Sequence, residues 1–181
     1  MKGLVILGNG FEDTEALAPI DVLKRGKVEI VTATINPDLL VTTQYNHLIQ
    51  ANTLLKDVNP DEYDFLLIPG GRAVNGLLES SLVDKVVNEF SKQNKLIAAI
   101  CAGPKVLGKN NLLKNKEYTC YPGSESFIDG IKVDKGVVVD GNFITGKSMY
   151  YSIEFGLEIL SKLMGKDVAN QVLNGIKGIA N

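Results

Sequence analysis

A cysteine stands where an apolar segment passes into a predicted helix. Residues 96–100 are apolar and typical of a buried strand, and Cys101 follows them directly. Gly103 and Pro104 come next, and they permit a sharp reversal and a pre-set first helical turn. The free amides and the dipole of a helix start favour an anion, which for cysteine is the reactive thiolate. The position also suits a small buried residue that closes a strand, and this segment alone leaves both interpretations open.

Two further segments follow predicted strands and carry groups that can work with a thiol. Glu15 lies just past the first predicted strand, residues 4–7, and Pro69-Gly70-Gly71 follows residues 65–68. Because the carboxyl ends of parallel strands meet at one sheet edge, we expect Cys101, Glu15 and the glycine amides to lie together. A thiol, a carboxyl group and amide donors are the parts of a nucleophile site with an oxyanion pocket. Glu15 can also be interpreted as a dipole partner in a first helical turn.

Other motifs carry less chemistry. Gly8-Asn9-Gly10 resembles the start of a dinucleotide-binding turn, but Asp13 stands where that fingerprint requires Gly or Ala. A tight strand-to-helix turn is the preferred interpretation. The single histidine, His47, has no local partner and is interpreted as solvated or structural. One histidine and two cysteines without metal spacing argue against a metal centre, and we expect neither a metal nor another cofactor.

The composition predicts an ordinary soluble protein. The chain of 181 residues is 45% hydrophobic and 22% charged with a net charge of -2, which predicts one domain over residues 1–181. Scattered basic residues argue against a nucleic-acid or membrane partner. The apolar start of the chain is too short for a signal peptide, and the two cysteines form no disulfide framework, so we expect a cytoplasmic location.

Strand-like apolar runs alternate with helical patterns, which predicts βαβ units and a mainly parallel sheet. The predicted strands are residues 4–7, 28–34, 65–68, 96–100, 118–121, 137–139 and 143–145, and an amphipathic helix is predicted over 152–164. Asp140-Gly141 predicts a tight hairpin, and residues 40–55 favour a second, more exposed one. Pro19 leaves two alternatives for the first helix: a start close to Pro19, or a kinked first turn over Glu12–Leu17.

Taken together, the motifs resemble the ThiJ/PfpI superfamily, and within it the branch of the Parkinson-disease-associated protein deglycase. The resemblance runs nearly end to end and rests on Glu12-Asp13-Thr14-Glu15-Ala16, Pro69-Gly70-Gly71, Ala99-Ile100-Cys101-Ala102-Gly103-Pro104 and residues 138–145 and 152–155. It implies a flavodoxin-like α/β fold, a three-layer sandwich similar to class I glutamine amidotransferases. It also implies a homodimer.

The resemblance further implies roles for individual residues. Cys101 would sit at a strained nucleophile elbow with Glu15 hydrogen-bonded to its sulfur, and the amides at Gly70, Gly71 and Ala102 would line an anion pocket. Tyr121 and Lys147 are further pocket candidates. Tyr121 stands where relatives of this branch commonly have histidine, and Lys147 where they commonly have arginine. PfpI-type proteases have histidine at the position of Ala102.

Two classes of function follow as hypotheses. The first is a stress-response enzyme of glyoxalase III or deglycase type, whose Cys101 adds to an aldehyde such as methylglyoxal while Glu15 shuttles a proton. The second is a non-catalytic oxidation sensor or chaperone whose cysteine sulfinate is held by the same donors. Both predict a lowered pKa for Cys101 and a protonated Glu15. An amidase or protease ranks below them, because the sequence shows no base for it.

Overall fold

The computed structural model describes residues 1–179. These residues form eleven strands, and seven of the strands make up the central sheet. The strands are β1 Lys2–Leu7, β2 Glu29–Thr34, β3 Leu40–Thr42, β4 Leu48–Gln50, β5 Thr53–Leu54, β6 Phe65–Ile68, β7 Leu96–Ile100, β8 Glu117–Tyr118, β9 Ile131–Lys132, β10 Val137–Asp140 and β11 Phe143–Gly146. The helices are α1 Asp13–Arg25, α2 Ala73–Glu79, α3 Ser81–Lys92, α4 Pro104–Lys109, α5 Ser152–Met164 and α6 Lys166–Lys177.

The sheet order is β10-β11-β7-β6-β1-β2-β5, and β10 alone of these strands runs antiparallel to its neighbour. The mainly parallel α/β fold predicted from the sequence is confirmed. Strands β1, β6 and β7 are adjacent, so the segments that follow them emerge at one edge of the sheet. This adjacency is what the expected site around Cys101 requires.

Helices cover both faces of the sheet and form three layers. One face carries Leu4, Ile6 and Leu66 against α2, α3 and α4, while the other carries Val5 and Leu67 against α1, α5 and α6. Buried residues on both sides explain why the central strands read as continuous apolar runs rather than as alternating ones. Among residues 1–179 no helix has the length and apolar character needed to cross a membrane.

The first helix starts early. Glu12 caps α1 by accepting a hydrogen bond from the backbone N–H of Glu15 at 2.8 Å, so the helix begins at Asp13 and contains Pro19. Of the two alternatives left open by the sequence, the start close to Pro19 is therefore wrong. Pro19 is accommodated against α5, where its Cα would lie 3.0 Å from a Cβ added to Gly156.

Both predicted hairpins are present, but one predicted strand is shorter than expected. β10 and β11 pair across Asp140-Gly141, and β3 and β4 pair within residues 40–55. The predicted strand over 118–121 ends at Tyr118, because the next amides leave the strand: Thr119 N–H donates to the Thr145 hydroxyl at 2.9 Å and Tyr121 N–H to the Cys101 carbonyl at 2.9 Å. This bend brings Tyr121 to the end of β7.

Candidate functional site

Cys101 lies on a sharp turn between β7 and α4. Its φ is +63°, a left-handed conformation that non-glycine residues seldom adopt. The turn is fixed on both sides, because Cys101 N–H donates to the Gly146 carbonyl at 2.8 Å and Gly103 N–H donates to the Ile100 carbonyl at 2.8 Å. Held in this way, the thiol projects from the sheet edge and is only partly buried. Strain kept in place by its surroundings is typical of functional positions.

Glu15 is the buried partner of this thiol. Only 1% of Glu15 is exposed, and its carboxyl group makes a hydrogen bond with the Cys101 side chain. Its Oε2 also accepts from Gly70 N–H at 3.0 Å. A Cβ on Gly70 would stand 2.5 Å from that oxygen and 2.8 Å from the Cys101 Cβ, so glycine is what lets the three groups come together.

Two backbone amides complete the surroundings of the sulfur. The N–H groups of Ala102 and Gly71 both make hydrogen bonds toward Cys101. Gly71 adopts a φ of +85° and pairs with Phe11 in an isolated bridge, which fixes the direction of its amide. Such donors favour negative charge at or near the sulfur.

Burial sets the proton affinities of the pair. Desolvation raises the pKa of Glu15 to about 7, against the opposing effect of its hydrogen bonds from Cys101 and Gly70. Desolvation, together with the charge of the Glu15 carboxylate, also raises the pKa of the Cys101 thiol, and the amides of Ala102 and Gly71 only partly oppose this. The lowered pKa predicted for Cys101 from its place at a helix start is thus wrong, because burial outweighs the amides. At neutral pH the thiol therefore keeps its proton, and Glu15, once ionised, is the base that can accept this proton as the sulfur reacts.

The pair opens onto a cavity of about 840 Å³. Its wall includes Gly71, Ala102 and Tyr121 from the predicted set, together with Arg72 and Lys105. The structure thus brings Cys101, Glu15, Gly70, Gly71, Ala102 and Tyr121 to one place. Within residues 1–179 no cluster of three or more His, Cys, Asp or Glu residues could hold a metal ion.

A profile of the DJ-1/PfpI family matches residues 1–162 of the chain. The chain belongs to the DJ-1/PfpI family. It is 35% identical to protein dj-1beta of Drosophila melanogaster, covering 97% of this chain and 96% of that protein. It is 31% identical to deglycase PfpI of Pyrococcus furiosus, covering 81% of this chain and 90% of that protein. The solved structure of oxidized Toxoplasma gondii DJ-1 superposes with a TM-score of 0.91 at 28% identity, covering 97% of both chains.

Lys147 does not line the cavity of this DJ-1/PfpI family member. Its Nζ lies 2.6 Å from Asp134 Oδ1, and it borders a separate hollow of about 340 Å³ beside Cys120. The Lys147 ammonium group, predicted as a pocket candidate, is therefore paired with Asp134 outside the cavity. Positive charge at the cavity comes instead from Arg72 and Lys105, which the sequence interpretation did not single out.

The structure gives His47 a partner that the sequence does not predict. Its Nδ1 lies 2.6 Å from Asp13 Oδ1, and both residues line the same cavity as Cys101. Burial opposes ionisation of Asp13, but hydrogen bonds from His47 and Thr43 lower its pKa overall. The sequence predicts His47 within a hairpin over residues 40–55, and the structure joins that hairpin to the segment before α1, where Gln44 N–H donates to the Phe11 carbonyl at 2.8 Å.

Proposed function

We propose that this DJ-1/PfpI family member is a cysteine-dependent enzyme of glyoxalase or deglycase type that acts on a small 2-oxoaldehyde such as methylglyoxal. The observation that carries the proposal is the Cys101 thiol beside a buried Glu15, whose pKa of about 7 suits a general base at neutral pH. The open cavity in front of the sulfur supports access of a small carbonyl compound. Removal of reactive aldehydes would make this a stress-response protein.

The reaction begins with the thiol. As Sγ of Cys101 bonds to the aldehyde carbon, its proton passes to the Glu15 carboxylate, and Glu15 then gives this proton to the carbonyl oxygen, which yields a hemithioacetal. Transfer of the C1 hydrogen to C2 through an enediol then converts this adduct into a lactoyl thioester of Cys101. Glu15, once it has returned its proton, is the base that we assign to that transfer. Hydrolysis of the thioester yields lactate and the free thiol, so the overall reaction adds one water to methylglyoxal.

A lactate assay tests the proposal. The wild-type protein should convert methylglyoxal to lactate, and Cys101→Ser and Glu15→Gln should each lose most of that activity. Cys120→Ser is the matched control, because Cys120 is a buried thiol outside the cavity and should retain activity. Circular dichroism of each variant checks that the fold is kept. Lactate formation by Cys101→Ser at the wild-type rate, or none by the wild type, would rule the enzyme out.

A second candidate, an oxidation sensor, is favoured by the two amides that face the sulfur. The N–H groups of Gly71 and Ala102 are placed to donate to the oxygens of a sulfinate, and protonated Glu15 can donate as well. A similar protein, that of Toxoplasma gondii, has been solved in an oxidized form. Intact-mass measurement after mild peroxide should show two added oxygens that map to Cys101. A protein that gains oxygen only on methionine would contradict this role.

A homodimer is the proposed assembly. Exposed apolar side chains gather where α5 begins, next to α1: Met149, Tyr150 and Ile153 with exposures of 49%, 81% and 45%, and Leu17 of α1. Large apolar side chains that are exposed on neighbouring elements are a feature of protein–protein interfaces. Met149 also lines the cavity, so a partner on this face would border the site.

A further inference from the structure

The cavity holds a second acid–base pair that the proposed mechanism does not use. His47 and Asp13 line the same cavity as Glu15. His47 differs from Glu15 in exposure, because 72% of the His47 side chain is exposed and only 1% of Glu15 is. Glu15 is buried beside the sulfur, and its carboxyl group is occupied by Cys101 and Gly70 N–H. A carboxyl group this deeply buried can exchange protons with the thiol and with its adduct, but it offers almost no exposed surface to a water molecule.

The contact with Asp13 fixes the tautomer of the His47 imidazole. Asp13 is 16% exposed in its side chain, and the hydrogen bonds from His47 and Thr43 lower its pKa, so it is a carboxylate that only accepts at neutral pH. The proton of a neutral imidazole is therefore on Nδ1, which donates to Asp13 Oδ1 at 2.6 Å. Nε2 is left as the acceptor of the ring, and His47 lines the cavity. A carboxylate that orients an imidazole in this way is the usual arrangement of a general base.

The geometry points to His47, oriented by Asp13, as the general base that activates water to release the acyl group from Cys101. This inference rests on the proposed function. In the step, the oxygen of water bonds to the thioester carbonyl carbon while its proton passes to Nε2 of His47. The C–S bond then breaks with its electron pair going to Sγ, which regains a proton from the protonated Glu15 or the imidazolium. The products are the free carboxylic acid and the thiol. His47 is the catalytic residue of this step, and Asp13 is a positioning residue.

The other charged groups on the cavity wall do not offer the same chemistry. Arg72 donates through Nη2 to the Gln44 carbonyl at 2.7 Å and carries a permanent positive charge. Lys105 lies with its Nζ 4.7 Å from the centre of the Phe127 ring, and an ammonium group cannot accept a proton. Glu12 is held by the backbone N–H of Glu15 as the cap of α1. Compared with these three groups, the imidazole is the exposed proton acceptor.

Trapping of the acyl enzyme tests this role. Protein is mixed with methylglyoxal, quenched, and treated with hydroxylamine, which converts a lactoyl thioester into a hydroxamate that mass spectrometry detects. His47→Gln should accumulate the thioester on Cys101 and form lactate roughly a hundredfold more slowly than the wild type. Asp13→Asn should show a smaller accumulation of the same species. Free imidazole in the buffer should restore turnover to His47→Ala, because the position is exposed.

The matched control is Gln50→Ala, an exposed position of the same hairpin that does not line the cavity, and it should behave as the wild type. Wild-type turnover by His47→Gln, with no trapped thioester, would overturn the role of His47 alone. Absence of lactate from the wild type would overturn the proposed function and this role with it. A slow His47→Gln variant without thioester, unaffected by imidazole, would show that His47 serves an earlier step and would also overturn the inference.

Discussion

Glu15 is a carboxylic acid whose burial has a consequence for stability. Desolvation raises its pKa from 4.5 to about 7, so the folded protein holds this proton more tightly than the unfolded chain does. The sign follows from proton linkage: the stabilisation is present below pH 4.5 and is lost as the pH rises toward 7, where the ionised carboxyl costs about 3 kcal/mol.

We therefore expect Glu15→Gln to gain stability relative to the wild type between pH 5 and pH 8. Glutamine keeps the shape and has no charge to bury. Urea denaturation of both proteins at several pH values measures the difference in unfolding free energy. Parallel stability curves for the two proteins across this range would mean that Glu15 titrates normally.

At the residue scale the sequence predicted those candidate site residues that directly follow strands. Cys101, Glu15 and the two glycines were found because parallel strands must deliver their ends to one edge. The pairing of His47 with Asp13, 34 residues apart, depends on how a hairpin folds back, and no local pattern encodes it. The position of Lys147 was wrong for a similar reason, because Asp134 competes for its charge.

The turn between β7 and α4 stores strain at Cys101. A side chain at a φ of +63° is disfavoured, and glycine adopts this conformation freely. We expect Cys101→Gly to be more stable than Cys101→Ala by about 1 kcal/mol, although both lack the thiol. Thermal and urea unfolding measure the difference. An alanine variant as stable as the glycine variant would show that the turn is relaxed.

Gly70 is the element-scale link between β6, α1 and the turn at Cys101. A Cβ there would lie 2.9 Å from the backbone N of Ala102 and 2.5 Å from the Glu15 Oε2. Neither the backbone nor the buried carboxyl group can move away without a loss of stability. We expect Gly70→Ala to lose several kcal/mol of stability and most of the activity. Gly175→Ala is the matched control, because nothing lies within 4 Å of that position in α6.

Gly175→Ala should be neutral or should stabilise the helix by about 1 kcal/mol. A Gly70→Ala variant with wild-type melting temperature and activity would contradict the tight packing described around Glu15.

Element boundaries were predictable where caps and apolar runs agree, as in the helix over residues 152–164. The strand over 118–121 was overestimated because hydrogen bonds to Thr145 and Cys101, which are distant in sequence, end it.

At the scale of the whole molecule, the apolar surface at the start of α5 predicts association. We expect the wild-type protein to sediment as a dimer, twice the 19.6 kDa of one chain. Ile153→Asp should shift it to the monomer, because a buried unpaired charge would be costly in such an interface. Ile131→Asp is the matched control, an isoleucine on β9 that is also exposed, at 54% against 45% for Ile153. A wild-type protein that stays monomeric at micromolar concentration would contradict the homodimer.

The fold class could be predicted from the alternation of apolar runs and helical patterns, since few architectures cover a parallel sheet on both faces. The order of the strands could not be predicted, because the sequence pattern does not indicate which strands are neighbours in the sheet. The adjacency of β1, β6 and β7 is therefore the structural finding on which the candidate site depends. The single domain remains a prediction.

The central claim is that Glu15 takes the proton of Cys101 as the sulfur reacts. The rate of alkylation of Cys101 by iodoacetamide, followed by mass mapping from pH 5 to pH 10, tests it most directly. In the wild type the rate should rise through a transition near pH 7, where Glu15 becomes a carboxylate able to accept the proton. Glu15→Gln should lose that transition and react only at alkaline pH. The same profile in both proteins would contradict the account.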